Sequence, residues 1–280
     1  MSAKAPISKE PEVIHSRLWQ ELEEPDNPFA AKACYCAGYD VYGDLLGKAT
    51  WIEYLYLLFK HEGPSCSQTK LLEGLAIAVA NLGPREPSIN AAMSAGAGGS
   101  THASCLMAAL AVGAGQLGGA HEVALAMAYW RECGENAPAW RDRLRDPPKE
   151  ERADVWIPME HAPGFDPHGA SCATPVRQTL ASLARLSPGC SLPWLRAHRE
   201  ELEAAADAPL SMTGVAAAAM IDLGMTIDEG EMLYLFLRLP GAAAHALEQQ
   251  GYGWHRFPFF VDGIVLEDDP GKTETVGIVG

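Results

Sequence analysis

Apolar residues recur at helical spacing along most of this chain, and polar breaks separate one helix from the next. From 45 to 60, the spacing of Trp51, Leu55, Leu58 and Phe59 predicts an amphipathic helix. A second pattern over 67–80 starts at Ser67, a helix-capping residue type, and turns Lys70 and Glu73 outward. The run Asn81-Leu82-Gly83-Pro84-Arg85-Glu86-Pro87 breaks it. Residues 88–129 read as two Ala/Gly-rich helical stretches, whose small side chains permit the close helix approach found at the centre of a helical protein. Residues 131–163 turn to Pro, Arg, Asp and Glu and read as loops and short helices. Helical spacing returns over 176–186, 193–206 and the Ala-rich 212–223, and then over 228–249 as a helix or a helix pair broken at Pro240-Gly241. Residues 1–30, polar and interrupted by proline, read as an irregular lead-in. Strand-like residues gather in the tail that begins Phe257-Pro-Phe-Phe-Val. Period-two alternation is scarce, so the expected class is mostly α.

A length of 280 residues admits one large domain or two modest ones with a sizeable core. The net charge of −15 argues against nucleic acid, because phosphate binding needs a basic surface. It does not forbid an anionic ligand, since a local cluster of arginines can reverse the field inside a cleft. Seven cysteines stand at 34, 36, 66, 105, 133, 172 and 190 without a Cys-x-x-Cys pair, and Cys34-x-Cys36 is too tight for a zinc knuckle. They read as small apolar fillers in a reducing compartment, with no metal and a cytoplasmic setting expected. The N-terminal residues carry Lys, Glu and Pro and show no secretory signal. Residues 87–120 lack Asp, Glu, Lys and Arg but hold Gly, Ser, Asn and His102, a composition that fits buried soluble helices better than a membrane span.

Three short segments carry a family resemblance. Arg238-Leu-Pro-Gly-Ala-Ala-Ala-His245-Ala-Leu-Glu248-Gln249 resembles the late helix of the citrate synthase and citryl-CoA lyase superfamily, which reads Arg-x-x-Gly-x-x-Ala-His-x-x-Glu-Gln. Gly38-Tyr39-Asp40 followed by Asp44-Leu45-Leu46 resembles its early Gly-Tyr-x-x-x-Asp-Leu element. Gly118-Gly119-Ala120-His121-Glu122 resembles its central Gly-Gly-Ala-x-Glu element. The resemblance implies a large helical domain, residues 1–128 and 209–280, with a smaller helical domain, 129–208, inserted into it. It also implies an active site in the cleft between them, completed by domain closure, and a homodimer in which both subunits contribute to each site. No tightly bound cofactor is implied. The ligands would be a di- or tricarboxylate and a CoA thioester.

The family joins acetyl-CoA to oxaloacetate or cleaves citryl-CoA. That chemistry uses a carboxylate base, a histidine that stabilises the enol, a second histidine that polarises the keto group, and arginines that hold carboxylates bidentately. On the resemblance, Arg177 in Thr-Pro-Val-Arg, Arg238, and Arg256 in Trp-His-Arg-Phe-Pro are the carboxylate-holding arginines. His168 in Pro-Gly-Phe-Asp-Pro-His matches a family histidine with one residue inserted. Its nine-residue step to Arg177 is the family's own. Taken singly, each arginine is better explained by a surface charge or a structural ion pair, and it is the coincidence of three arginines and one histidine on matching motifs that favours a carboxylate pocket.

Three positions depart from the family. Leu82 stands where it has the histidine of Asp-His-Gly, Leu117 where it has the enol-stabilising histidine, and Thr213 where it has the aspartate base. Leucine offers no donor or acceptor, and threonine is no base near neutral pH. His121, one helical turn after Leu117, is a candidate to line the same cleft and move the proton. His102 reads as a hydrogen-bonded core group, His245 as structural, and Cys105 and Cys172 as packing rather than nucleophiles. Two functions stay open, beside a weaker third, a different reaction on a related ligand such as thioester hydrolysis or decarboxylation. One is carbon–carbon bond formation or cleavage in a carboxylate-CoA thioester with an altered acid/base set. The other is a non-catalytic carboxylate or CoA-ester binding or regulatory subunit.

Overall fold

The computed structural model describes residues 14–145 and 161–257. Its first element corrects the irregular lead-in. β1 (Gln20–Glu24), β2 (Asn27–Cys36) and β3 (Tyr39–Asp40) form an antiparallel sheet in that order, with Gln20 opposite Tyr35 and Tyr35 opposite Asp40. Two tight turns make it. Pro25-Asp26 closes the first hairpin, and Ala37-Gly38 closes the second with φ of 49° and 88°, the left-handed pair that suits a two-residue connection. Only Cys34 and Cys36 of β2 are buried, and this weak alternation is why the sheet is hard to see in the sequence. The tail after Phe257 lies outside the described residues.

Eleven α-helices follow among the described residues. α1 (Trp51–Lys60) is capped by Thr50 and Glu53 in a reciprocal box, so its predicted start at 45 shifts later. Residues 41–45 form a separate π-turn. α2 (Cys66–Ala80) is capped by Ser65 and Gln68, two residues before the expected Ser67. The Ala/Gly-rich stretch divides into three helices rather than two: α3 (Pro87–Ala97), α4 (His102–Gly113) and α5 (Ala120–Cys133). α6 (Ala137–Arg145), α7 (Thr174–Leu186) and α8 (Ser191–Ala206) come next, then α9 (Met212–Asp222), α10 (Ile227–Leu237) and α11 (Leu239–Tyr252). The break between the last two falls at Arg238. Pro240 sits in the first turn of α11, where proline is tolerated.

α9 is the structural centre. Every residue from Thr213 to Met220 is buried, and the alanines at 216–219 let α5 and α8 pack against it. The main core joins α2, α5, α7, α8, α9 and α10 through Leu72, Met127, Leu180, Leu192, Met220 and Leu233. A second cluster, Ile89, Ala92, Cys105, Ala109, Ala242 and Ala246, binds α3, α4 and α11 into a separate layer. No described helix is long and apolar enough to cross a membrane.

Candidate active site

Two glycines set the site's geometry. Gly164, at φ 89°, lies against Gly214 of α9 so closely that a Cβ on Gly164 would stand 2.9 Å from the Gly214 Cα. The Gly164 carbonyl accepts the Ser211 N–H at 3.0 Å, and Phe165 pairs with Leu210 as an isolated bridge. The loop of residues 161–173 is thereby held against the start of α9. Across from it, the loop before α5 is pinned by Glu122, which is 2 % exposed. One Glu122 oxygen accepts the Gly118 N–H at 2.6 Å and the other the Gly164 N–H at 2.9 Å. A single buried carboxylate thus ties both loops together.

Between them opens a cleft of about 610 Å³, within the range of small-molecule sites. Leu117, Gly118 and Glu122 form one wall, the 161–176 segment another, and Pro209–Met212 the floor, while Arg85 and Pro87 come in from the loop before α3. Arg85 is exposed and makes no ion pair among the described residues, so it supplies an open positive charge. His161 is 10 % exposed, with Nε2 3.7 Å from Glu122 Oε1, which is ion-pair reach but beyond a hydrogen bond. His168 is exposed on the same cleft, where its backbone N–H donates to Asp166 at 3.0 Å. Phe165, Val176 and Leu210 make the back of the cleft apolar.

The structure gathers some of the sequence-derived residues here and places others elsewhere. His168 and Leu117 both line the cleft, and Leu117 is 65 % exposed into it and the surrounding solvent. Thr213 lies just under the floor, buried, with its hydroxyl 2.6 Å from that of Ser211. His121 corrects the expectation that it lines the cleft. Its Nδ1 lies 3.2 Å from Glu231 Oε1 on α10. The reason is local: α5 starts at Ala120, so Leu117 is not helical and the one-turn relation between 117 and 121 does not exist. Glu122 faces the cleft instead. Leu82 packs on the α3–α4–α11 cluster and not in the cleft lining.

The three arginines are dispersed. Arg177, in the first turn of α7, donates to Thr174 Oγ1 at 2.9 Å and lines an adjoining basin with Arg199 and Glu203, sharing the Ser171 and Pro209 rim with the cleft. Arg238 is 4 % exposed and does not line the cleft. Its guanidinium is paired with Glu86, donates to the Gly113 carbonyl at 3.4 Å, and lies 5.1 Å from the Tyr234 ring centre. Arg256 is exposed in a 3₁₀ turn (Trp254–Arg256), 5.9 Å from the Tyr252 ring centre. His102, expected in the core, is exposed at the start of α4. His245 joins Asn81 at 3.1 Å and Glu248 at 3.3 Å. Cys172 is buried and donates to the Leu210 carbonyl at 3.5 Å, and burial pushes its thiol above the ordinary range.

Sequence reasoning missed His161 and Arg85. The local signal for His161 is its place two residues before the Pro163-Gly164-Phe165 segment. Arg85 sits in the 81–87 helix break, where no local pattern marks it as a ligand group.

The fold has solved counterparts. The structure is similar to citryl-CoA lyase from Hydrogenobacter thermophilus, with a TM-score of 0.67 and 18% identity, covering 91% of this chain and 97% of that one. It is also similar to ATP citrate lyase from Methanothrix soehngenii in complex with citrate and coenzyme A, at TM-score 0.67 and 20% identity over 94% of this chain. A Methanosaeta concilii ATP citrate lyase mutant in complex with (3S)-citryl-CoA gives a TM-score of 0.67 and 18% identity. The chain spans 43% of the length of each of those two ATP citrate lyase chains. No protein-family model matches the sequence, and a search of curated proteins finds no match. The fold is of the citrate synthase and citryl-CoA lyase kind, as the short motifs led one to expect.

Proposed function

We propose that this chain binds a carboxylate-CoA thioester in the Arg85–His168 cleft and makes or breaks a carbon–carbon bond in it. The observation that carries the reading is convergence. An arginine with no ion pair among the described residues, two histidines and a buried carboxylate face one apolar-backed cleft, on a fold similar over most of its length to a citryl-CoA lyase. In this reading the cleft lies between a large part, 1–128 with 209–280, and an inserted part, 129–208. Arg85 joins Arg177 in holding carboxylates. Arg238 takes part by exchanging Glu86 for a ligand carboxylate, and Arg256 serves the cleft of a second copy.

The acid/base set differs from the family's, because Leu117 and the buried Thr213 cannot move protons. Turnover is therefore slow, and citryl-CoA cleavage exceeds citrate synthesis. The test is mass-spectrometric detection of acetyl-CoA and oxaloacetate from citryl-CoA, with the reverse pair run alongside. Failure to bind citryl-CoA at all removes the reading. The apolar Leu117 also favours a second reading, a CoA-ester binding subunit without turnover. Binding without any product would select it.

The exposed apolar face built by α1, α2, α4, α10 and α11 completes the proposal. A groove of about 470 Å³ there is lined by Trp51, Ile77, Leu106, Phe236 and Leu239, with Met107 exposed beside it. A second copy of this chain covers that face.

A further inference from the structure

We infer that His161 is the group that moves the proton in this cleft, with Glu122 as its positioning residue. The inference rests on the thioester reading above.

The titratable and charged groups that line the cleft are Arg85, Glu122, His161, Asp166 and His168. Arg85 stays protonated and cannot act as a base. Asp166 and His168 are exposed, on the outer part of the loop. Glu122 has both oxygens committed to backbone N–H groups, one on each loop, which makes it a strut between them. Among these groups His161 alone combines low exposure, a cleft-lining position and a carboxylate behind it. Its Nε2 is 3.7 Å from Glu122 Oε1, and Nδ1 makes no hydrogen bond to the described residues. No arginine or lysine among the described residues reaches Glu122, so its charge is available to balance the positive charge the ring gains on taking a proton. Phe165, Val176 and Leu210 give the back of the cleft an apolar lining, against which such a charge pairing acts more strongly than in water. The location compensates for the loss opposite: Leu117 and Ser211 border the same space, Thr213 lies under its floor, and none of them supplies a base.

In cleavage of a β-hydroxy thioester, the O–H bond breaks and its proton goes to the imidazole. The bond between the α- and β-carbons breaks, its electron pair passing to the thioester as an enolate while the β-carbon becomes a ketone. The imidazolium then gives the proton to the α-carbon. The proton leaves oxygen and arrives at carbon, and the histidine is unchanged.

The experiment uses the full chain with citryl-CoA as probe. Calorimetry gives the Kd, and quenched-flow gives the cleavage rate from pH 5.5 to 9. Deuterium uptake into the methyl group of acetyl-CoA, with oxaloacetate present, gives proton transfer at carbon independently. His161→Gln is expected to lose about 10²–10⁴-fold in both rates and the acid limb of the pH profile, with Kd within about threefold of wild type. His168→Gln, run in parallel, is expected to keep that limb. Unchanged circular dichroism and melting confirm that each variant is folded. If His161→Gln retains cleavage and exchange rates near wild type, the assignment is wrong. Wild type that binds citryl-CoA but neither cleaves nor exchanges overturns the assignment and leaves the binding reading standing. Wild type that does not bind citryl-CoA overturns the thioester reading, and the assignment with it.

Discussion

Arg238, at the junction of α10 and α11, meets Glu86, the residue that caps α3, inside the molecule. The Glu86 carboxylate also accepts the Ile89 N–H at 3.0 Å and the Ser88 hydroxyl. One anion therefore closes an ion pair, caps a helix and fixes the loop that brings Arg85 and Pro87 to the cleft. Removing one partner of a buried pair strands the other, so Arg238→Ala is expected to cost about 3–5 kcal/mol in urea unfolding. A loss below about 1 kcal/mol, the level of an exposed pair, would show that Arg238 is not held internally.

Two buried tyrosines predict the alkaline limb of stability. Burial pushes Tyr234 and Tyr129 up to about 12, although Arg238 and Arg143 respectively pull the other way. A raised folded-state value favours the protonated form. Their contribution is fully present below the ordinary tyrosine range near 10 and is lost as pH rises toward about 12. Melting temperature should therefore hold to about pH 9.5 and then fall steeply over that window. Neither hydroxyl has a partner among the described residues. Tyr234→Phe should consequently be neutral or mildly stabilising at pH 7 and should flatten the alkaline fall. A melting curve unchanged by the substitution across pH 9–12 would contradict this.

Thiol labelling separates filler from reactive cysteines. Cys66 and Cys190 are exposed, whereas the other cysteines are buried. Burial raises Cys172, with Glu203 adding to the rise, so its thiolate is scarce at pH 7.5. Iodoacetamide should modify Cys66 and Cys190 first in native protein, with Cys172 reacting only on unfolding. Early alkylation of Cys172, mapped by peptide mass spectrometry, would return it to candidacy as a nucleophile.

The apolar face predicts assembly. Sedimentation should give a species near twice the 30.0 kDa chain mass, and Ile77→Glu combined with Met107→Glu should convert it to a folded monomer. A wild-type monomer at micromolar concentration would contradict the second-copy proposal.

The helices were legible because caps and apolar spacing are local signals. The α7 and α8 spans and the Ala-rich α9 fall close to where periodicity put them. The sheet was not legible, since only Cys34 and Cys36 of β2 point inward and its hairpins are closed by turns of ordinary composition. The site was half legible. His168 and Leu117 could be placed from motifs because short loops carry them. His121 was misplaced because the argument assumed a helix through Gly118, whose φ of 69° and position before α5 prevent one. The pairing of Arg238 with Glu86 was not legible, because nothing in its own segment reveals a partner 152 residues away in sequence. His161 and Arg85 gain meaning only through long-range folding, which brings both to the loop pinned by Glu122.

The central claim is that this cleft takes a carboxylate-CoA thioester, and calorimetric titration of the full chain with citryl-CoA tests it most directly. The account predicts saturable one-to-one binding, weakened about 10–100-fold by Arg85→Ala through loss of a charge-assisted contact of about 1.5–3 kcal/mol. No heat of binding with wild type, or equal affinity of wild type and Arg85→Ala, would contradict it.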